Sequence, residues 1–366
     1  MSSGAPPLPA FPWDSIARQK EQARAHPDGI VDLSVGTPVD PVAPPIREAL
    51  ASVAELSGYP ATHGTPELRA AAVEVLRRRH GVVGLDAESV LPSIGSKELV
   101  AWLPRLLGVG AGDTVAIPEL AYPTYEVGAT LAGASAVRSD GLTAFGPAAP
   151  ALVWLNSPSN PTGRVLGTAH LRKVVEWARE RGTIVVSDEC YLALGWDAEP
   201  VSLLHPDVHG GSLNGLLAVH SLSKSANLAG YRAGFVTGDP ELVARLLAVR
   251  KHAGMIVPRP VQEAMTAALA ADDSLHEQRE RYAARRRVLS DALRGAGFRI
   301  DHSEAGLYLW ASSGDDALST VDRLAAKGIL VAPGTFYGPA GSHHVRVALT
   351  ATDERVRAAA ERLAAE

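Results

Sequence analysis

Leu152-Val153-Trp154-Leu155 runs into the turn cluster Asn156-Ser157-Pro158-Ser159-Asn160-Pro161-Thr162-Gly163, and Thr183-Ile184-Val185-Val186 runs into Ser187-Asp188. Two short apolar runs ending in polar residues, with a helical span over about 169–181 between them, predict strand, helix, strand. That alternation predicts a largely parallel sheet covered by helices on both faces, an α/β fold. In such sheets ligands sit outside the carboxyl ends of the strands. Asn160 and Asp188 each lie just past a predicted strand end. A third apolar run, Leu216-Leu217-Ala218-Val219, leads into Ser221-Leu222-Ser223-Lys224, so Lys224 joins them at the same edge.

The loop from Ser221 to Phe235 carries two hydroxyls, one lysine and, between Gly230 and Gly234, the guanidinium of Arg232. A buried lysine beside a cation is poised for Schiff-base chemistry, because desolvation and like charge both favour its neutral form. An arginine fork with two hydroxyls suits a phosphate. An amine nucleophile at one end and a phosphate cradle at the other point to pyridoxal 5′-phosphate (PLP). The plain alternative, a solvated lysine in a Ser-rich loop, is weighed against by other stretches of the chain.

At 366 residues the chain can hold two domains around a large core. Its 46% hydrophobic and 20% charged residues describe a soluble globular protein. A net charge of −5 without a long basic run points away from nucleic acid as a partner. One cysteine, Cys190, excludes an internal disulfide framework and fits a reducing cytoplasm. The opening residues lack the basic and apolar regions of a signal peptide, and no apolar segment is long enough to span a bilayer. The expectation is a cytoplasmic enzyme that does not associate with membranes.

Ahead of the sheet, a short helix is expected around 14–25, followed by Asp32-Leu33-Ser34-Val35-Gly36-Thr37-Pro38, an extended segment whose composition reads as linker. Thr65-Pro66-Glu67 starts a helix, with Thr65 as N-cap and an apolar stripe of Leu68, Ala72, Val75 and Leu76. Gly95-Ser96-Lys97-Glu98 precedes a helix with Leu99, Leu103, Leu106 and Leu107 at helical spacing. Such a turn offers backbone N–H groups to an anion, although many bind nothing. Tyr122 and Tyr125 flank Pro123, placed to stack on a flat ring or to pack on the core. A helical region from Pro240 to about Ala296 breaks near 254–260, and its charged part, 277–287, reads as solvated. The last seventy or so residues interleave strands and helices as a smaller α+β unit. Arg346 sits inside the apolar strand His344-Val345-Arg346-Val347-Ala348-Leu349. It either finds a carboxylate partner or faces outward.

These motifs, in this order, resemble those of class I/II aminotransferases of the fold-type I PLP-dependent superfamily. The resemblance runs from about Val31 to the C-terminus. It rests on Leu33-Ser34-Val35-Gly36, Tyr59 with Gly64 and Leu68-Arg69, Gly95-Ser96-Lys97-Glu98, Tyr122-Pro123-Thr124-Tyr125, Asn160-Pro161-Thr162-Gly163, Asp188 with Tyr191, the Lys224 to Arg232 spacing, and Arg346. It implies a large domain with a mostly parallel sheet between helices (46–270), a small α+β domain (271–366), and an N-terminal segment (1–45) packing with the small one. Lys224 would join the cofactor aldehyde and later move the proton at the substrate Cα. Asp188 would pair with the ring nitrogen, Tyr191 and Asn160 with the ring hydroxylate, and Tyr122 would stack on the ring. Ser221, Ser223, Arg232 and the N–H groups of Ser96 and Lys97 would hold the phosphate. Tyr59 would reach it from the neighbouring subunit of a homodimer with shared active sites. Arg346, with the Gly36 backbone, would clamp the substrate α-carboxylate. Pro333-Gly334-Thr335-Phe336-Tyr337-Gly338 departs from the family's Pro-Gly-x-x-Phe-Gly, which leaves its side-chain contacts open.

Within the family the chain is most similar to N-succinyl-LL-diaminopimelate aminotransferases of high-GC Gram-positive bacteria, by its short length, the 92–98 and 156–163 stretches and Val257-Pro258-Arg259-Pro260-Val261-Gln262. That implies amino-acid and 2-oxo-acid substrates in lysine biosynthesis, with glutamate and 2-oxoglutarate as the pair. Both substrates carry a distal carboxylate, for which Arg18, Lys97 and Arg259 are candidates. Alternatives are an aspartate- or alanine-type aminotransferase and a PLP-dependent C–S β-lyase, which would use nearly the same residues. A PLP-sensing regulator is disfavoured, since too few residues precede the first motif for a DNA-binding domain.

Overall fold

The computed structural model describes residues 8–146 and 149–365. The chain opens with a 3₁₀ turn, Pro12–Ile16, then α1 (Ala17–Arg24), β1 (Val31–Asp32), α2 (Pro44–Ala51) and α3 (Pro66–His80). The central part alternates β2 (Val90–Ile94), α4 (Ser96–Leu106), β3 (Thr114–Ile117), α5 (Thr124–Ala132), β4 (Ser135–Arg138), β5 (Leu152–Asn156), α6 (Thr168–Arg179), β6 (Ile184–Asp188), α7 (Pro206–His209), β7 (Leu216–Ser221) and β8 (Ala233–Gly238). Helices α8 (Pro240–Ala253), α9 (Arg259–Ala270) and α10 (Asp272–Gly295) follow. The chain closes with β9 (Arg299–Asp301), β10 (Tyr308–Ser312), α11 (Ala317–Ala326), β11 (Ile329–Leu330), β12 (Ala332–Pro333), β13 (Val345–Ala348) and α12 (Asp353–Ala364). No described helix is long and apolar enough to cross a membrane.

Strands β2 to β8 form a seven-stranded sheet in the order β2-β8-β7-β6-β5-β3-β4, in which only β8 runs against its neighbours. Alternation along each strand sorts the side chains. Val153, Val185 and Ala218 pack with Leu68, Val174 and Met265 of α3, α6 and α9, whereas Trp154, Val186 and Leu217 pack with Leu99, Tyr125 and Leu246 of α4, α5 and α8. The same alternation ends β5, β6 and β7 with Asn156, Asp188 and Ser221 on the α4/α5 face. Asn156 and Asp188 are direct register partners. Helix α3 forms as its termini predict: the Thr65 hydroxyl accepts from the Leu68 N–H (3.1 Å), and Gly81 closes it in the left-handed region.

A second core gathers Ile16, Val31, Tyr282, Leu309, Val347 and Val356 around an antiparallel sheet ordered β12-β13-β10-β9 and the short parallel pair β1-β11. Segment 32–38, whose composition reads as linker, is pinned here instead, together with Val31 before it. Val31 N–H donates to Gly328 O (2.8 Å), Leu33 N–H to Leu330 O (2.8 Å), and Ala348 N–H to Leu33 O (2.9 Å). The charged stretch 277–287 is not simply solvated either. Arg285, 3% exposed, is forked onto Asp40 (2.6 and 2.7 Å) and reaches Asp353 (2.7 Å). Helical periodicity sees the charges but not carboxylates that arrive from distant sequence. Three strands escape the apolar-run criterion: β2 carries Pro92, β8 two glycines, and β4 is a half-exposed edge.

Glu189 follows Asp188 on the opposite face, where Leu203 N–H (2.7 Å) and the Ser202 hydroxyl (2.8 Å) donate to it. Burial pushes its carboxyl from 4.5 up to about 7. A carboxyl raised on folding contributes stability that is present at low pH and lost as pH rises through the folded value. Glu189→Gln removes that loss, so its thermal midpoint relative to the wild type is expected to climb from about pH 5 to about pH 8. Parallel melting curves across that range would mean that Glu189 is ionised in the folded protein throughout.

Candidate active site

The carboxyl edge of the sheet, the 31–37 segment and the second core enclose one cavity of about 470 Å³. It is lined by Gly36, Ser96, Lys97, Tyr122, Asn160, Asp188, Tyr191, Ser221, Ser223, Lys224, Arg232 and Arg346. Of the residues expected to hold the cofactor or the α-carboxylate, Tyr59 alone is elsewhere: it is 99% exposed and does not line the cavity of its own chain.

Lys224 sits just beyond β7, and its ammonium donates to the Gly36 carbonyl. Burial pulls it below the usual lysine range, and the Arg346 and Arg232 cations act in the same direction. Gly36 has no room for a side chain: a Cβ there would lie 2.3 Å from the Tyr308 hydroxyl. Asp188 lies deeper. Its Oδ2 accepts from the Tyr125 hydroxyl (2.8 Å) and Oδ1 from the Cys190 N–H (3.2 Å). Burial raises its carboxyl above the usual range, and these donors oppose the rise. Tyr125 is fully buried and stacked on Trp154 (4.9 Å), so its hydroxyl is aimed by packing. Burial pushes the Tyr122 phenol up to about 12 and the Cys190 thiol well above its ordinary value, so both stay protonated.

At one end of the cavity, no side chain caps α4, and Gly95 before it has φ +76°. A Cβ on Gly95 would lie 2.4 Å from the Arg232 Nη2, so the glycine lets the guanidinium lie against the helix start. Arg232 itself holds a left-handed backbone, φ +57°, at a cost of about 1–2 kcal/mol. Guanidinium, helix N-terminus and the Ser221 and Ser223 hydroxyls together form an anion cradle.

At the other end Arg346, 2% exposed, faces inward from β13. Its Nη1 donates to Asn160 Oδ1 (2.8 Å) and its Nη2 to Ser34 O (2.6 Å), while its Nε has no partner among the described residues. The guanidinium lies 3.9 Å from the Tyr308 ring centre and 5.0 Å from that of Tyr337. Tyr337, in the stretch that departs from the family pattern, therefore packs beside this arginine. Asn160 is held in turn by Asn156, whose Oδ1 accepts from the Asn160 N–H (2.7 Å).

Several lining residues carried no strong sequence signal. Phe11, Trp13 and Lys20 come from the N-terminal segment. Tyr308 could have been found from strand pairing: Trp310 is the register partner of Arg346, and Tyr308, two residues along, shares its face. Among the candidates for a distal carboxylate, only Lys97 lines the cavity. Arg18 is exposed outside its lining and Arg259 is bonded to Glu263 (2.8 Å). Periodicity could not tell that α1 turns Lys20, rather than Arg18, toward the site.

A model of the family "aminotransferase class I and II" matches residues 28–363, and the chain belongs to that family. It is 67% identical over 358 residues to a "probable aminotransferase" of Mycobacterium tuberculosis, covering 97% of this chain and 85% of that one. It is 58% identical over 356 residues to a 4-dedimethylamino-4-oxo-anhydrotetracycline transaminase of Streptomyces rimosus, covering 97% and 99%. Among solved structures, a "probable N-succinyldiaminopimelate aminotransferase" of Thermus thermophilus matches with TM-score 0.87 at 30% identity, covering 97% and 99%. The fold is the fold-type I arrangement and the cofactor of the family is PLP.

The cavity fits that cofactor. The anion cradle at Gly95 and Arg232 suits its phosphate, Lys224 its aldehyde and Asp188 its ring nitrogen, with Tyr122 beside the ring. On this assignment Tyr125 keeps Asp188 in its ionised, nitrogen-binding form. Tyr125→Phe retains the stack on Trp154 and removes one donor to the carboxylate. Equilibrium dialysis is expected to show PLP retained about ten- to a hundredfold less tightly. Unchanged retention would detach Tyr125 from cofactor binding.

Proposed function

We propose that this chain is a succinyldiaminopimelate transaminase, acting on N-succinyl-LL-2,6-diaminopimelate and 2-oxoglutarate to give N-succinyl-2-amino-6-oxopimelate and glutamate. The observation that carries the reading is a cavity with cations beyond the Arg232 cradle: Arg346, buried with an Nε that has no partner among the described residues, and Lys97 and Lys20, which also line it. Both members of the substrate pair bear a carboxylate beside the reacting carbon and a second one farther off. Likeness to the Thermus thermophilus protein supports the same choice.

PLP, when bound, supplies the electron sink that lets an amino acid release its Cα proton. The chain's own groups do the rest. Arg346 and the neighbouring Asn160 orient the α-carboxylate. Lys224, with its ammonium destabilised by burial, takes the proton as the free amine and returns it. Asp188 keeps negative charge at the cavity floor. Walls from both cores limit water around the reacting atoms. We also propose the division at 1–45, 46–270 and 271–366, and a homodimer in which Tyr59 enters the neighbouring site. A tyrosine 99% exposed in the single chain is what such an exchange supports. Gln262 braces its loop, accepting from Thr65 N–H (2.9 Å) and donating to Ala61 O (3.3 Å).

A second reading has its own support: the 58% relative is a transaminase of a polycyclic ketone, and Phe11 and Trp13 give this cavity an aromatic mouth. Purified protein with 2-oxoglutarate and N-succinyl-LL-diaminopimelate is expected to release glutamate. Cystathionine alone is expected to yield no pyruvate or ammonia. Glutamate formed only with other amino donors would retain the transaminase and reject this substrate, and pyruvate from cystathionine would make the protein a lyase.

Lys97→Met and Lys20→Met test the distal contact. A lost charged hydrogen bond should raise KM for 2-oxoglutarate about ten- to a hundredfold in at least one of them, with KM for pyruvate little changed. If neither moves, the distal carboxylate is held by other groups.

A further inference from the structure

Tyr308 serves two residues at once. From β10 its hydroxyl meets the Tyr191 hydroxyl at 3.1 Å, and its ring lies 3.9 Å beneath the Arg346 guanidinium. The two tyrosine rings pack edge to face at 5.8 Å. Tyr308 is 4% exposed, and its hydroxyl abuts Gly36, whose carbonyl holds the Lys224 ammonium. Its hydroxyl has no hydrogen-bond partner other than Tyr191 among the described residues.

We propose that Tyr308 is a positioning residue that couples the two ends of the reacting centre. Its hydroxyl donates to Tyr191, and its ring sets the plane of Arg346. The inference rests on the cavity being the PLP site. When Tyr191 gives its proton into the cavity, its oxygen is free to accept, and the one hydroxyl within reach is that of Tyr308. Donation into a phenol oxygen polarises its O–H and makes it a stronger donor. Tyr191 thereby holds the cofactor's ring oxygen more firmly, which lowers the proton affinity of the nitrogen linking Lys224 to the cofactor. At the other face the ring packs flat on the guanidinium, while Asn160 and Ser34 O fix two of its nitrogens, so Nε is left facing one direction. The titratable and charged groups around the tyrosine pair are Lys224, Arg346, Cys190, Tyr122, Tyr282 and Tyr337.

Two variants separate the two roles. Tyr308→Phe keeps the ring and removes the hydroxyl; Tyr308→Leu removes both. The full chain is reconstituted with PLP, the absorbance of the bound cofactor is titrated against pH, and succinate, a dicarboxylate with no amine, is titrated at fixed pH. Tyr308→Phe is expected to move the absorbance midpoint up by about 0.3–1 unit while succinate binds within about twofold of wild type. Tyr308→Leu is expected to show the same upward move together with succinate binding weakened about three- to thirtyfold. An unmoved midpoint in Tyr308→Phe, an isosteric change that keeps the packing, overturns the coupling to Tyr191. Unchanged succinate affinity in Tyr308→Leu overturns the coupling to Arg346. A wild-type protein that takes up no PLP is a different failure, and it removes the assignment of the cavity itself.

Discussion

Burying the Arg346 guanidinium is the constraint on which the site depends. An unpaired charge cannot be taken out of water without a large penalty, so the chain has to bring it partners. It does so from three remote places: Asn160 beyond β5, the Ser34 carbonyl beyond β1, and the Tyr308 ring on β10. None of these partners is an anion. The charge is solvated by dipoles and a π-face, and one donor stays unused. A site arranged in this way favours a carboxylate that comes and goes over a permanent salt bridge, because a resident Asp or Glu would neutralise the arginine for good.

The same logic governs the other end of the cavity. Lys224 and Arg232 lie in one loop, and Lys224 also faces Arg346, so its charged form is disfavoured from two sides as well as by burial. Asp188 meets the opposite treatment. Burial would neutralise it, and a buried tyrosine and a backbone N–H resist that. Burial thus eases Lys224 toward the neutral amine that a proton acceptor needs, while the donors to Asp188 hold its rise in check. Glu189 shows what alternation does to the next residue: on the other face it becomes a buried structural carboxyl that ties β6 to Ser202 and Leu203.

Much of this was legible because parallel sheets make legible sites. Apolar runs locate strands, polar residues just after them locate the edge, and Asn160, Asp188 and Lys224 follow without knowledge of side-chain packing. Arg346 needed more. An arginine in an apolar strand faces in or out according to register, and register depends on partners in another part of the chain. Tyr308 was hidden for the same reason, since a tyrosine in a strand is ordinary until the pairing with β13 places it diagonally from Arg346. Residues 32–38 looked like linker because their hydrogen bonds run to β11 and β13, and local composition carries no trace of them.

The residues that line the cavity also differ in how their backbone is held. Asn156, Asp188 and Ser221 stand at the ends of sheet strands, where the backbone is held by a ladder on both sides. Phe11, Trp13 and Lys20 line the same cavity from a segment held by side-chain packing such as Trp13 on Phe336, and Lys97 lines it from the start of α4. A change in that segment leaves the sheet edge intact. A relative 58% identical across nearly its whole length can be a 4-dedimethylamino-4-oxo-anhydrotetracycline transaminase without implying that substrate here. Phe11, Trp13 and Lys20 thus line the cavity from a segment that shares no backbone ladder with the lysine and arginine loop.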